Sequence, residues 1–203
     1  MAQPSRSLER RRQIIAATVQ CMAADGVGGT TLARIAETAG MARGHMRHFA
    51  GNREALLTDA ARVFYFGETA LEQPDLDVAE LERRAPLVPS AADTTGALDY
   101  LFGEFAEPGS ENAAANAFMD AGRTIPDIHR IVVTAYRGME QSLTRLLERE
   151  HPKSPAADCR RVAYGVLTIA MGHNLLNEVD AAAERSDAAR AGALRLIAEL
   201  DAD

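Results

Sequence analysis

The sequence has no tryptophan, only two cysteines, and an aromatic content of 5%. Cys21 and Cys159 lie far apart, so they build neither a disulfide framework nor a cysteine metal site. Two reduced, buried thiols are the expectation. β-branched residues rarely cluster and no stretch alternates with period two, which points away from a sheet. The most apolar stretch, Val162 to Gly172, falls well short of the ~20 residues that span a bilayer. Residues 1–12 are polar and basic, without the apolar core of a signal peptide, so a cytoplasmic protein with no membrane partner is expected. There is no Gly-x-Ser-x-Gly elbow, no phosphate-binding glycine loop and no His-Glu-x-x-His. The five histidines (45, 48, 129, 151 and 173) show no metal-ligand spacing. Neither catalysis, nor a cofactor, nor a metal is therefore expected.

What is present is helix-forming. Ala, Leu, Arg and Glu dominate, and hydrophobic residues make up 47%, enough for a substantial core. Net charge is −7, which argues against a nucleic-acid partner until its distribution is considered. Residues 1–65 carry nine arginines against five carboxylates, a balance of +4, and the remainder carries −11. Such a split suggests a head that binds a polyanion on a body that repels one.

Periodicity predicts an all-α chain. A first helix runs from about Ser7 to Ala24, with Ile14, Ile15, Thr18, Cys21 and Met22 on one face and Asp25-Gly26 at its end. A short helix follows, capped by Thr30 or Thr31 and burying Leu32, Ile35 and Ala36, and Gly40 breaks it. A third helix covers about 42–50 and a fourth about 53–72. Residues 73–93, punctuated by Pro74, Pro86 and Pro89, are the least legible, with a short helix possible at 77–84. Further helices are expected at about 95–106, 110–123, 126–150 and 155–179, with a last one to Leu200.

Helix, glycine turn and helix within about twenty basic residues is the geometry that sets a recognition helix in a major groove. Ala42, Met46 and Phe49 form the inner stripe of the third helix, which turns Arg43, Arg47 and His48 outward with His45 at the boundary. The ordered set Ile14-Ile15-Ala16-Ala17, Gly26, Thr30-Thr31, Ile35-Ala36, Ala39-Gly40, Gly44 and Leu56 resembles the DNA-binding domain of TetR-family transcriptional regulators, without insertion or deletion, over about residues 8–65. That resemblance implies a helix-turn-helix DNA-binding domain at 1–52 and an effector-binding and dimerisation domain at 53–203. It also implies a homodimer through the last two helices, operator DNA as partner, and a small-molecule effector of unknown identity. The pattern departs from the family at Ala42, Arg47, Ala50 and Arg53, where Ser or Thr, an aromatic, a bulky residue and Lys are usual.

By the same resemblance Arg43 and His45 hold base-contacting positions. An arginine there can bond guanine O6 and N7 with two donors. Gly44 permits close approach of the backbone, Arg47, His48 and Arg53 hold phosphates, and Thr31 offers a hydroxyl and helix-start N–H groups to one. Arg10 to Arg12 read equally as phosphate contacts or as a solvated run. In the body, an effector site is expected among Phe102, Phe105, Met119, Arg123, His129, Tyr136, Met139, Met171 and Asn174, with plain core as the alternative for each. A dimer seam is expected at Val162, Val166, Ile169, His173, Leu176, Leu194, Ile197 and Leu200. The leading expectation is a repressor released by an effector. An activator, a ligand-independent regulator, and a small helical enzyme or adaptor are the other readings.

Overall fold

The computed structural model describes residues 6–42, 52–84 and 93–201, and every regular element among them is helical. The α-helices are α1 (Arg6–Gly29), α2 (Leu32–Thr38), α3 (Arg53–Glu72), α4 (Val78–Arg84), α5 (Thr94–Phe102), α6 (Ser110–Ala121), α7 (Pro126–Glu150), α8 (Ala156–Val179) and α9 (Ala183–Ala198). Two 3-10 turns, Glu104–Ala106 and Glu199–Asp201, follow α5 and α9. No helix among the described residues is long and apolar enough to cross a membrane.

The chain packs as two compact units. The first comprises residues 1–87 and 113–136, the second residues 88–112 and 137–203. In the first unit, Leu57, Ala60, Ala61, Tyr65 and Phe66 of α3 meet Ile15 and Met22 of α1, Leu81 of α4, Phe118 of α6, and Ile128 and Ile131 of α7. Phe64, Tyr65, Phe118 and Tyr136 form an aromatic group with ring centroids 5.0–6.3 Å apart. In the second unit, α8 turns Cys159, Val162, Ala163, Val166, Ala170, His173, Asn174 and Asn177 inward. The amides of Asn174 and Asn177 donate to the carbonyls of Phe105 (2.7 Å) and Ala106 (2.9 Å), fixing the 3-10 turn. Both cysteines are free and buried, as expected.

Local chemistry accounts for the boundaries. Asn52 caps α3 by accepting from the Ala55 N–H at 2.8 Å, and Asp93 caps α5 through the Gly96 N–H at 2.8 Å. The expected end of the first helix at Gly26 is a break, with φ 63°, after which helical turns resume to Gly29. Within α3, Gly67 adopts φ 61° and ψ −152°, a conformation essentially restricted to glycine, so the helix is broken one turn before its end. The single helix expected at 95–106 stops at Gly103, whose φ of −108° and ψ of −100° leave Phe105 in the 3-10 turn.

Candidate nucleic-acid interface

α2 is set on α1 by small residues that let the two backbones approach. Ile35, Ala36, Ala39 and Met41 pack against Ile14, Ala17 and Cys21 of α1 and Leu56 of α3. Thr31 is the N-cap of α2, and its Oγ1 accepts from the Arg34 N–H at 3.1 Å. At the other end Met41 N–H donates to Ala36 O (2.8 Å) and Gly40 N–H to Glu37 O (3.0 Å). This crossed pair is a Schellman closure, and Gly40, at φ 62°, is the left-handed residue it requires. The Gln13 amide of α1 donates to Ala39 O at 2.8 Å and ties the same corner. Sequence reading passed over Gln13, whose polar side chain on an exposed turn carried no signal.

The segment that follows carries most of the expected DNA contacts. Arg43, Gly44, His45, Arg47 and His48 lie outside the described residues. Thr31 is exposed at the start of α2, and its hydroxyl oxygen accepts in the cap, which leaves its O–H to donate. Arg53 points back into the head: Nε donates to Thr30 O at 2.6 Å and Nη2 to Val27 O. These carbonyls lie at and just beyond the end of α1, so the guanidinium fastens α1 to the start of α3. Of the arginine run, Arg10 bonds Gln13, Arg11 pairs with Asp59 at 2.9 Å, and Arg12 pairs with Glu68 at 2.6 Å. Arg11 and Arg12 thus hold α1 to α3, a role neither sequence reading contained.

The expected effector residues divide between the units. Met119, Arg123, His129 and Tyr136 belong to the first; Phe102, Phe105, Met139, Met171 and Asn174 belong to the second. Arg123 is exposed and lies 4.0 Å from Asp120, and His129 is also exposed. Tyr136 is half-buried with its ring 6.1 Å from that of Tyr65. Tyr65 is buried, and among the described residues no group stands in good hydrogen-bonding geometry to its hydroxyl. Burial first, and then the neighbouring Tyr136, push the Tyr65 phenol far above its ordinary value; burial raises that of Tyr136 as well. In the second unit Phe102 and Met139 are buried, Phe105 and Met171 half-buried, and Asn174 is occupied by the Phe105 carbonyl.

The eight residues expected at a dimer seam differ in their exposure within the single chain. Val162, Val166 and His173 are buried within the chain itself, because α8 turns its 159–162–166–170–173–177 face inward, and Ile197 and Leu200 are buried at the end of α9 and in the turn after it. Ile169 is half-buried, while Leu176 is 62% and Leu194 44% exposed. Tyr164, Leu175 and Val179 join these two as large uncovered hydrophobics. On α8 the uncovered face follows 164, 168, 172, 175 and 179, a helical spacing legible in the sequence once the inner face is known.

Residues 14–60 match the family model described as "Bacterial regulatory proteins, tetR family". Among curated proteins the chain is 28% identical over 155 residues to the HTH-type transcriptional regulator BetI 1 of Chromohalobacter salexigens, covering 75% of this chain and 72% of that one. A solved structure of a candidate transcriptional regulator from Pseudomonas aeruginosa PAO1 superposes with a TM-score of 0.70 at 20% identity, over 96% of this chain and 91% of that one. The multidrug binding protein EbrR, solved in complex with proflavin, gives a TM-score of 0.55 at 19% identity, over 92% and 99% of the respective chains.

Proposed function

Because this chain belongs to the TetR family of bacterial transcriptional regulators, we propose that it is a homodimeric repressor whose head holds operator DNA and whose body releases it on binding a small molecule. The functional division is residues 1–52 for DNA and 53–203 for effector and dimer. The observation that carries the reading is the α1–α2 corner. α2 is capped by Thr31, closed at Gly40 and docked on α1, and it leads directly into a segment rich in Arg and His. In this reading Arg43 and His45 read base edges, Gly44 allows close approach, and Arg47 and His48 hold phosphates. Thr31 presents the start of α2 to a phosphate, and Arg53 supports the corner while its remaining donors face one.

Dimerisation is supported by the uncovered apolar residues Leu175, Leu176 and Val179, neighbours in the last turns of α8, and by Tyr164 and Leu194, which are also open to water. The effector is a mostly apolar molecule with one or two polar groups. In the first unit the aromatic group around Tyr65 and Tyr136 supports this, with Met119, Arg123 and His129 on the neighbouring α6–α7 stretch. Phe102, Phe105, Met139, Met171 and Asn174 are the candidates of the second. The ligand-bound relative EbrR supports a regulator that takes small molecules. A near-complete switch needs an effector that prefers the released form by about 5.5 kcal/mol.

The test is a mobility shift on the DNA upstream of the chain's own coding region, repeated with compounds that raise the melting temperature. Retarded DNA that such a compound frees is the expected result. Sequence-specific retardation that no stabilising compound relieves would leave a ligand-independent regulator. Failure to retard any duplex would sink the DNA-binding reading.

A further inference from the structure

We propose that the recess between the second half of α7 and the start of α8 binds a small polyvalent anion, carried on phosphate or carboxylate oxygens and bearing a hydroxyl. Arg137, Gln141 and Arg145 stand four residues apart along α7, with Glu140 and Thr144 on the adjoining row, and Arg160 joins them from α8. These six line an open recess of about 430 Å³, all within the second unit.

The charges here differ from those around them. The second unit has nine basic and sixteen acidic residues, yet the recess has three guanidiniums and one carboxylate. Elsewhere in the unit Arg161 pairs with Asp158 and Glu199, Arg185 with Asp180, and Arg190 with Asp99. Among the described residues Arg137 and Arg160 have no such partner, and Arg145 gives one donor to Ser142 Oγ at 3.0 Å. One turn to either side of Arg160 the helix offers Ala156, Ala157, Ala163 and Tyr164, so its own helix supplies no carboxylate. Three like charges drawn into one concavity repel unless an anion joins them.

Chemistry narrows the class of ligand. A guanidinium presents a planar fork of donors that matches two oxygens of a phosphate or carboxylate. The Thr144 hydroxyl is committed as a donor to Glu140 O at 2.8 Å, so the donors available to an anion are the arginines and the Gln141 amide. Glu140 accepts only, and repels a ligand that shows it nothing but anionic oxygen. A hydroxyl on the ligand turns that repulsion into a hydrogen bond. Hydroxylated polycarboxylates and phosphate monoesters of polyols meet both requirements, and sulfate, a tetrahedral oxyanion with no proton to donate, meets the first alone.

Calorimetric titration of the full chain with citrate, glycerol 3-phosphate and sulfate tests this. Saturable binding of citrate or glycerol 3-phosphate, tighter than that of sulfate, is expected, and the responding probe tells the carboxylate source from the phosphate one. Arg137→Gln and Arg160→Gln should each weaken it about tenfold, the ordinary worth of one charge-assisted contact. Both side chains are exposed, so unchanged melting curves will show that the fold survives. Glu140→Gln should bring sulfate level with the hydroxylated probes. The proposal is overturned if no probe binds saturably at millimolar concentration, or if both arginine variants bind like the parent. It is also overturned if Arg160→Gln breaks the dimer, since carboxylates of a second copy would then be the occupant.

Discussion

Arg12 and Glu68 meet at two points, Nε to Oε1 at 3.0 Å and Nη2 to Oε2 at 2.6 Å, and so join α1 to α3 one residue beyond the Gly67 break. The bond lowers the Glu68 carboxyl below its usual range and raises the Arg12 guanidinium. Both side chains are largely solvated, so the pair adds little to stability at ordinary ionic strength. Single replacements, Arg12→Ala or Glu68→Ala, should lower the melting temperature slightly, and the double variant should lose no more than either. A double-mutant cycle at low and high salt measures this. A coupling that does not shrink with salt would mean that the contact is not electrostatic.

Arg53 and Arg43 should separate cleanly. Arg53→Ala strips the Val27 and Thr30 carbonyls of a charged donor, so a loss of about 1.5–3 kcal/mol in stability is expected. DNA affinity should fall with it, alike for all sequences. Arg43→Ala should leave stability alone and relax base preference, by about 1–3 kcal/mol per half-site. Denaturant melts and binding to a panel of single-base operator variants read both. If Arg53→Ala melts like the parent, its inward bonds are not what holds the corner.

Gly67→Ala forces an L side chain into a conformation that costs about 1–3 kcal/mol, although nothing lies within 4 Å of the added Cβ. The whole penalty is therefore backbone strain. Gly192→Ala is the control. Its Cβ meets only Ile169 Cδ1, at 3.8 Å in a regular helix, so a gain of about 0.5–1 kcal/mol is expected. Opposite signs in chemical denaturation are predicted, and equal effects would show that α3 simply straightens.

Leu176→Asp and Val179→Asp add charge where the isolated chain is open to water, at 62% and 80% exposure. Folding of a single chain should be untouched, and sedimentation should show monomer in place of dimer. Val162→Asp, at a position only 1% exposed, should instead unfold the chain. Dimers that persist in both surface variants would place the seam elsewhere.

Burial holds His173 below its ordinary value; its ring centroid lies 6.2 Å from that of Phe102, the planes tilted by 34°, and its Nε2 lies 2.9 Å from Ser186 Oγ. In the unfolded chain the imidazole takes a proton near pH 6.5, which the folded chain refuses until lower pH. Stability should therefore be constant with respect to this group above that value and fall as pH drops below it. Urea melts between pH 8 and pH 5 should show a slope that His173→Gln reduces (about pH 8 and about pH 5 bracket the imidazole range). An unchanged slope in the variant would assign the acid sensitivity to other groups.

Much of this architecture was legible in the sequence, because helix period and cap chemistry are local. The expected spans 53–72, 110–123, 126–150 and 155–179 lie within two residues of α3, α6, α7 and α8, and even the short helix at 77–84 is present as α4. Thr31 was one of two threonines that could start α2, and the structure selects it. What stayed hidden was nonlocal. No period tells Val162 from Leu176 as inward or outward when both faces of α8 are apolar, and only the packing of its neighbours decides. Nor does a run of arginines reveal that Asp59 and Glu68, about fifty residues on, will claim two of them.

The two asparagines of α8 grip the turn at 104–106 by its carbonyl oxygens. A carbonyl is supplied by every residue type, so the grip is blind to the side chains of Glu104 and Phe105. The inheritance constraint at this spot thus falls on the clasp and not on what is clasped. Across natural variants of this chain, position 104 is free to drift, and 174 and 177 are not.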